Sequence, residues 1–251
     1  MSTYVISDIH GQYDLFDELL RIIDFRDDDK LYILGDILDR GPHPIRTMIR
    51  VMEMPNAEFL AGNHELMALE CLRFLMNEIT EDSIRDLEGP DGSDISEAIF
   101  NWSINGSGPT ISEFSALDRA KQSEILRFIG NSEVYKELTV NGENYLLVHA
   151  GLGNYYPGRP LEDYTLEELL WSRADYDTKY YEDKYVVTGH TPTQVIEGNP
   201  RPGYIFRTNN HIAIDCGAFV PSGRLAALRL DDGKEFYSSG IVMSDEEKTL
   251  F

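Results

Sequence analysis

At 251 residues the chain is long enough to bury roughly 70–75% of its unfolded surface within one α/β domain, and residues 1–251 are read as that single domain. Its 22 Lys and Arg against 44 Asp and Glu leave a formal net charge of −22. That balance argues against nucleic acid as a partner, because a phosphate backbone is normally met by a Lys/Arg surface. In chain order, Thr3 to Ser7 is a β-rich apolar run, and Tyr13 to Ile23 then shows helical spacing through Leu15, Phe16, Leu19, Leu20 and Ile23. The pair repeats as Leu31 to Leu34 with Ile45 to Met52, and as Glu58 to Ala61 with Leu66 to Met76. Alternation of this kind predicts parallel strands with helices packed on the sheet, and ligands at the carboxyl ends of the strands.

Residues 77–132 are mostly polar and helix-prone, broken at Gly89-Pro90-Asp91-Gly92 and at Asn105 to Pro109, and are read as a helical insertion over one edge of the site. Strand patterns return at Val134 to Val140, Tyr145 to Val148, Tyr185 to Thr188, Tyr204 to Arg207, Ile212 to Asp215 and Leu225 to Leu230. Asn141-Gly142 and Asp232-Gly233 are hairpin dipeptides, so this half is expected to be partly antiparallel. The acidic stretches at Asp27 to Asp29, Glu81 to Asp94, Glu162 to Glu168 and the C-terminal tail read as solvated faces. Cys71, in a helix pattern, and Cys216, in a strand pattern, lack CxxC spacing and read as buried apolar side chains. The cluster Tyr176, Tyr180, Tyr181 and Tyr185 reads as an amphipathic surface loop, or else a rim around substrate. Met1 to Asp8 has no signal-peptide halves and no run approaches ~18 uncharged apolar residues, so the expectation is a cytoplasmic protein with no membrane partner.

Five motifs place metal-capable side chains just after apolar runs: Asp8-Ile9-His10-Gly11, Gly35 to Gly41 (GDILDRG), Gly62-Asn63-His64-Glu65, His149-Ala150-Gly151 and Gly189-His190-Thr191. Singly each is weak, and a lone strand-end His is more often structural than a ligand. In order within one α/β domain they are strong. The set resembles the phosphoprotein (serine/threonine) phosphatase branch of the calcineurin-like metallophosphoesterases, bacterial type, from Val5 to about Leu230, with Leu170 to Arg173 and Ile214 to Ala218 as further landmarks. The resemblance implies an α/β/β/α sandwich, with central β-sheets flanked by helices.

It also implies two divalent transition-metal ions held by Asp8, His10, Asp36, Asn63, His149 and His190, with Asp36 bridging. Asp8 and His10, two apart, project to one side of an extended chain and can grip one ion together. Asn63, His149 and His190 complete the second. A donor set of Asp, His and Asn without thiolate suits Mn²⁺ first, with Fe and Zn²⁺ as the other candidates. Such a pair acidifies a bridging water whose hydroxide attacks phosphorus directly. His64 is assigned as the general acid oriented by Asp39, while Arg40 and Arg173, with Asn63, hold the phosphoryl oxygens. His43 and His211 match no motif position and are read as non-ligands. Asn101 to Gly106 with Thr110 resembles a segment near the site in bacterial members, although a packing Trp and a turn explain it equally.

The expected substrate is a phosphorylated protein, at serine, threonine or tyrosine, or a small phosphate ester. The enzymatic alternative is the symmetrical bis(5'-nucleosyl)-tetraphosphatase, whose corresponding motif commonly carries Ala where this chain has Asp39. A non-catalytic binding protein on the same fold would have lost a ligand, the acid or an Arg, and none is missing. The pattern leaves the oligomeric state open.

Overall fold

The structure, a computed structural model, describes residues 1–76 and 95–240. Three successive strand–helix units open the chain: β1 (Thr3–Ile6) with α1 (Tyr13–Ile22), β2 (Lys30–Leu34) with α2 (Pro44–Met52), and β3 (Ala57–Leu60) with α3 (Asn63–Met76). The three strands pair in parallel, Ile6 opposite Ile33 and Leu34 opposite Leu60. Pro44 opens α2 at a position where its missing N–H costs nothing. Phe16 and Leu19 of α1 and Met48 and Val51 of α2 form the stripes that bury against this sheet.

The insertion is helical where described, with α4 (Ile95–Ile104), α5 (Gly108–Ser115) and α6 (Arg119–Gly130). The break at Gly89 to Gly92 and the acidic stretch Glu81 to Asp94 lie outside the described residues, as does the C-terminal tail. Asp118 caps α6 by accepting from the Lys121 N–H at 2.8 Å. Trp102 of α4 and Ile125 of α6 are fully buried in the same core as α1, α2 and α3. The insertion is therefore part of the first helical layer.

The second half supplies β4 (Tyr135–Val140), β5 (Glu143–Val148), α7 (Leu166–Leu170), β6 (Lys184–Thr188), β7 (Phe206–Thr208), β8 (His211–Ala213), β9 (Ala226–Arg229) and β10 (Glu235–Tyr237). One sheet runs β10-β9-β1-β2-β3 and the other β4-β5-β6-β8-β7. The hairpins at Asn141-Gly142 and Asp232-Gly233 are antiparallel as expected, while β5, β6 and β8 are parallel. Val5, Leu34 and Leu60 of the first sheet pack with Leu147, Val187 and Ile212 of the second. Leu169 and Leu170 of α7 cover the outer face of the second sheet beside Leu146 and Val186. Four layers result, α/β/β/α, and the parallel strands of both sheets end at one rim.

Several local expectations need correction. Asp29 is buried and accepts from the backbone N–H of Ser2 (2.6 Å) and Arg26 (3.1 Å), because it closes the turn before β2. Glu168 is no free surface charge; it caps α7 and pairs with Arg159 at 2.7 Å. Cys216 lies past the end of β8 in a loop, although it and Cys71 are buried and unbridged. The tyrosines turn inward: Tyr180 is buried and its hydroxyl accepts from the Asp175 N–H, Tyr176 packs on His211 with ring centroids 4.7 Å apart, and Tyr185 stacks on Tyr145. No described helix is long and apolar enough to cross a membrane.

Candidate metal centre

The loops that leave the strand ends are bent hard. Asp8 (φ 50°), His10 (45°), Asp36 (54°), Asp39 (69°), Arg40 (66°) and His190 (62°) all occupy the left-handed region, at a cost of about 1–3 kcal/mol each. Asp8 and His10 thus do not lie on an extended chain; β1 has ended at Ile6, and both residues have left-handed backbone. Two glycines permit the close approach of these loops. A Cβ on Gly62 would stand 2.2 Å from an Asp36 carboxylate oxygen, and one on Gly189 would stand 2.1 Å from Asp8 Oδ2.

All six expected ligands meet at this rim. Among the described residues, two sets of His and carboxylate atoms fall within 4.8 Å of one another: His10, Asp36 and His64, and Asp36, His149 and His190. Asp36 is common to both, its Oδ2 3.7 Å from His10 Nε2 and its Oδ1 3.5 Å from His149 Nε2. Asp8 belongs to neither set and instead accepts from the His190 N–H at 3.0 Å. His64, read from sequence as the acid, belongs to the first set, with Nε2 3.9 Å from Asp36 Oδ2. Asn63 Oδ1 lies 2.9 Å from His149 Nε2 and 3.0 Å from His190 Nδ1.

The hydrogen bonds fix the tautomers, and the tautomers test whether the residues suit a cation. His10 Nδ1 faces the Leu38 carbonyl at 2.9 Å and His149 Nδ1 the Leu34 carbonyl at 2.7 Å. A carbonyl only accepts, so both Nδ1 atoms carry the proton and both Nε2 atoms present lone pairs inward. The His149 lone pair then meets the Asn63 oxygen, also an acceptor, with no hydrogen between them. A second proton on the ring is opposed by burial, which pushes the His149 pKa down. Burial likewise holds His10 well below its ordinary value, with Arg40 adding to the effect, and lowers His190 to about 3, with His149 adding there.

The carboxylates tell the same story. Burial, then the charges of Asp215 and Asp36, push Asp8 well above its ordinary value, and burial raises Asp215 to about 7. Burial also opposes the charge of Asp36, but His149, His64, His10 and His190 around it keep its pKa low. Asp215 Oδ2 is buried without a hydrogen-bond partner. Inward lone pairs and crowded carboxylates are the donor set that dications satisfy, and the residues fit a metal pair.

A second group adjoins this one. Asp39 is fully buried and accepts from His64 Nδ1 (2.7 Å), Trp102 Nε1 (2.8 Å) and the Thr110 hydroxyl (2.6 Å), while its own N–H donates to Thr110 at 3.0 Å. Burial disfavours the charged form of His64, yet Asp36 and Asp39 raise its pKa. Arg40 donates to His10 Nε2 at 2.9 Å, stacks 3.9 Å over Phe219 and is held by its N–H on the Gly106 carbonyl. Arg173 is exposed and has no hydrogen bond or ion pair among the described residues. Both guanidiniums line a cavity of about 410 Å³ together with Asp36, Asn63, His64, His190 and Trp171.

His43 pairs with Glu113, and His211 with Thr188, away from this cavity, as non-ligands should. Three contributions were not legible as roles. Trp102 and Thr110 hold Asp39, which resolves the insertion segment in favour of a place beside the site. Asp215 carried only a landmark reading. Glu65 accepts from four backbone N–H groups; its signal was a charged residue in the first turn of a helix that follows an apolar strand directly.

Residues 1–213 match the family model described as calcineurin-like phosphoesterase. A bis(5'-nucleosyl)-tetraphosphatase [asymmetrical] of Bacillus thuringiensis is 30% identical over 90% of this chain and 89% of its own. Serine/threonine-protein phosphatase 2 of Salmonella typhimurium is 26% identical over 90% and 92%. A protein serine/threonine phosphatase structure from Saccharomyces cerevisiae shares the fold with a TM-score of 0.54, at 14% identity over 98% of this chain and 82% of that one.

Proposed function

The chain belongs to the calcineurin-like phosphoesterase family, and from that premise we propose that it is a dinuclear-metal phosphatase of phosphate monoesters, acting on phosphoserine and phosphothreonine in proteins and, secondarily, on phosphotyrosine. Asp8, His10, Asp36, Asn63, His149 and His190 would hold the two ions, Mn²⁺ first among the candidates. When bound, the metals supply an acidified water and polarise the phosphoryl group.

The chain's own groups do the rest. His64 keeps its Nδ1 proton on Asp39 and carries a second on Nε2, which faces the cavity and can be given to the leaving oxygen. Asp36 and Asp39 raise its pKa against burial and so favour that proton. Arg173, exposed and without an intramolecular partner among the described residues, is placed to bind phosphoryl oxygens, and Arg40 lines the same cavity with N–H groups to spare. The observation that carries the monoesterase reading is Asp39: one buried carboxylate, held by Trp102 and Thr110, that orients the acid as the protein-phosphatase pattern requires.

A second reading is hydrolysis of dinucleoside tetraphosphates, which the 30% identity to the Bacillus thuringiensis enzyme over nearly all of both chains favours. Metal-depleted protein reconstituted with Mn²⁺ should be assayed on a phosphopeptide panel and on diadenosine tetraphosphate side by side. The monoesterase reading expects the higher kcat/KM on phosphopeptides. A clear preference for the dinucleotide replaces it, with ADP alone marking symmetrical cleavage and AMP with ATP asymmetrical cleavage.

A further inference from the structure

Glu65 is fully buried, at 0% exposure, and among the described residues its four hydrogen bonds all come from backbone N–H groups. Oε2 accepts from the Asp36 N–H at 2.7 Å and the Gly62 N–H at 3.0 Å; Oε1 accepts from Ile37 at 2.9 Å and Leu38 at 3.0 Å. The successive N–H groups of 36–38 converge because Asp36 has left-handed backbone, making the kind of concave nest that elsewhere binds phosphate. Here the nest is filled by the chain's own carboxylate. The fourth bond reaches a different loop, the one that carries Asn63.

We infer that Glu65 is a positioning residue: its carboxylate ties the loop bearing Asp36 to the loop bearing Asn63 and so sets the spacing of these two side chains for the metal pair. The inference rests on the proposed ligand set. Asp36 comes from the end of β2 and Asn63 from the start of α3, and no backbone hydrogen bond joins residues 35–38 to residues 61–64 directly. The side-chain bond from the His64 N–H to Asp36 Oδ1, 3.1 Å, is the other tie. Glu65 sits in the first turn of α3, where the helix dipole favours its charge. The geometry is two-sided: each oxygen takes two donors, leaving no lone pair for water or for a metal ion.

Glu65→Gln keeps the volume and one acceptor oxygen but turns an NH₂ toward two backbone donors; Glu65→Ala removes all four bonds. The test is Mn²⁺ binding to metal-depleted wild-type and variant proteins by calorimetry, with the exchange-coupled Mn²⁺ EPR signal and the Tm of the metal-free proteins read in parallel. Mn²⁺ affinity should fall by roughly 10–100-fold, as for other groups that orient ligands, with Ala worse than Gln. The ion beside Asn63, His149 and His190 should weaken more than the one beside His10, and the coupled signal should be lost before all Mn²⁺ is. A lower Tm with unchanged affinities and coupling would overturn the inference, as would a failure of both variants to fold even with a stabilising osmolyte, since Glu65 would then hold the fold and not the spacing. If wild-type protein does not bind two ions, it is the ligand assignment that fails.

Discussion

Two buried polar groups lie side by side at the sheet rim, and they are built on opposite plans. Around Asp39, three donors meet one carboxylate and every partner is matched. Around Asn63 and Asp36, lone pairs face lone pairs at 2.9 Å and a neighbouring carboxylate oxygen on Asp215 has no partner. Burial makes both arrangements consequential, since a low local dielectric strengthens a satisfied network and penalises an unsatisfied one. The matched group holds the His64 ring rigidly, as the proposed acid requires. The unmatched group is suited to positive charge, of which Arg40 on His10 Nε2 supplies one contact.

Chelation is the strongest way to break that contrast. Exhaustive metal removal should abolish turnover, a loss on the order of 10⁶-fold or more if the ions supply the nucleophile and electrophile. Asp36→Asn should bring Mn²⁺ occupancy below two per chain by elemental analysis. Full activity in either case would show that the lone pairs have another purpose.

His64→Asn tests the matched group. Metal content should be unchanged while kcat falls by roughly 10²–10⁴, more on alkyl than on aryl phosphates, because only a poor leaving group needs the proton. Equal losses on both ester classes would remove His64 from the acid's role.

Asp39→Asn sharpens the same half through pH. An acid works while protonated, so activity is present below the His64 pKa and lost as pH rises through it. Asp36 and Asp39 raise that pKa against burial; neutralising Asp39 should therefore move the alkaline limb of the kcat profile to lower pH. Mismatched donors at Trp102 and Thr110 should also cost about 1–3 kcal/mol in urea unfolding. An unmoved limb would mean that Asp39 supports structure only.

The smallest effect is expected at the start of α7. Arg159, together with the capping box at Thr165, lowers the Glu168 pKa to about 2. A depressed carboxylate contributes stability that is present above its unfolded pKa of about 4.3 and lost as pH falls through the folded value. Glu168→Gln should lower Tm slightly near neutral pH, leave kcat unaltered and converge with wild type in strong acid. A change in kcat would tie this half-buried pair to the site.

The three strand–helix units and both hairpins could be read from sequence because periodicity and turn chemistry are local properties, visible within a dozen residues of Tyr13 or Asn141. The same holds for the side chains at the rim: Asp36, Asn63, His149 and His190 each follow an apolar strand directly, and parallel strands deliver their ends to one place. Local pattern also misled where backbone geometry changed. Asp8 and His10 look like neighbours on an extended strand, yet both have left-handed backbone. The tyrosines near 180 look amphipathic until His211 and Tyr145 cover them.

What the chain determined by itself was which residue types would meet at the strand ends, because a sheet's alternation and direction follow from nearest-neighbour sterics and burial. Which atoms face each other was decided only in three dimensions. Trp102 and Thr110 reach Asp39 across 63 and 71 residues, and Asn63 meets His149 across 86. Hydrogen-bond direction at such separations depends on tautomers and loop curvature that no local run encodes, so the division between a matched and an unmatched polar group arises from the packing of two sheets and one insertion.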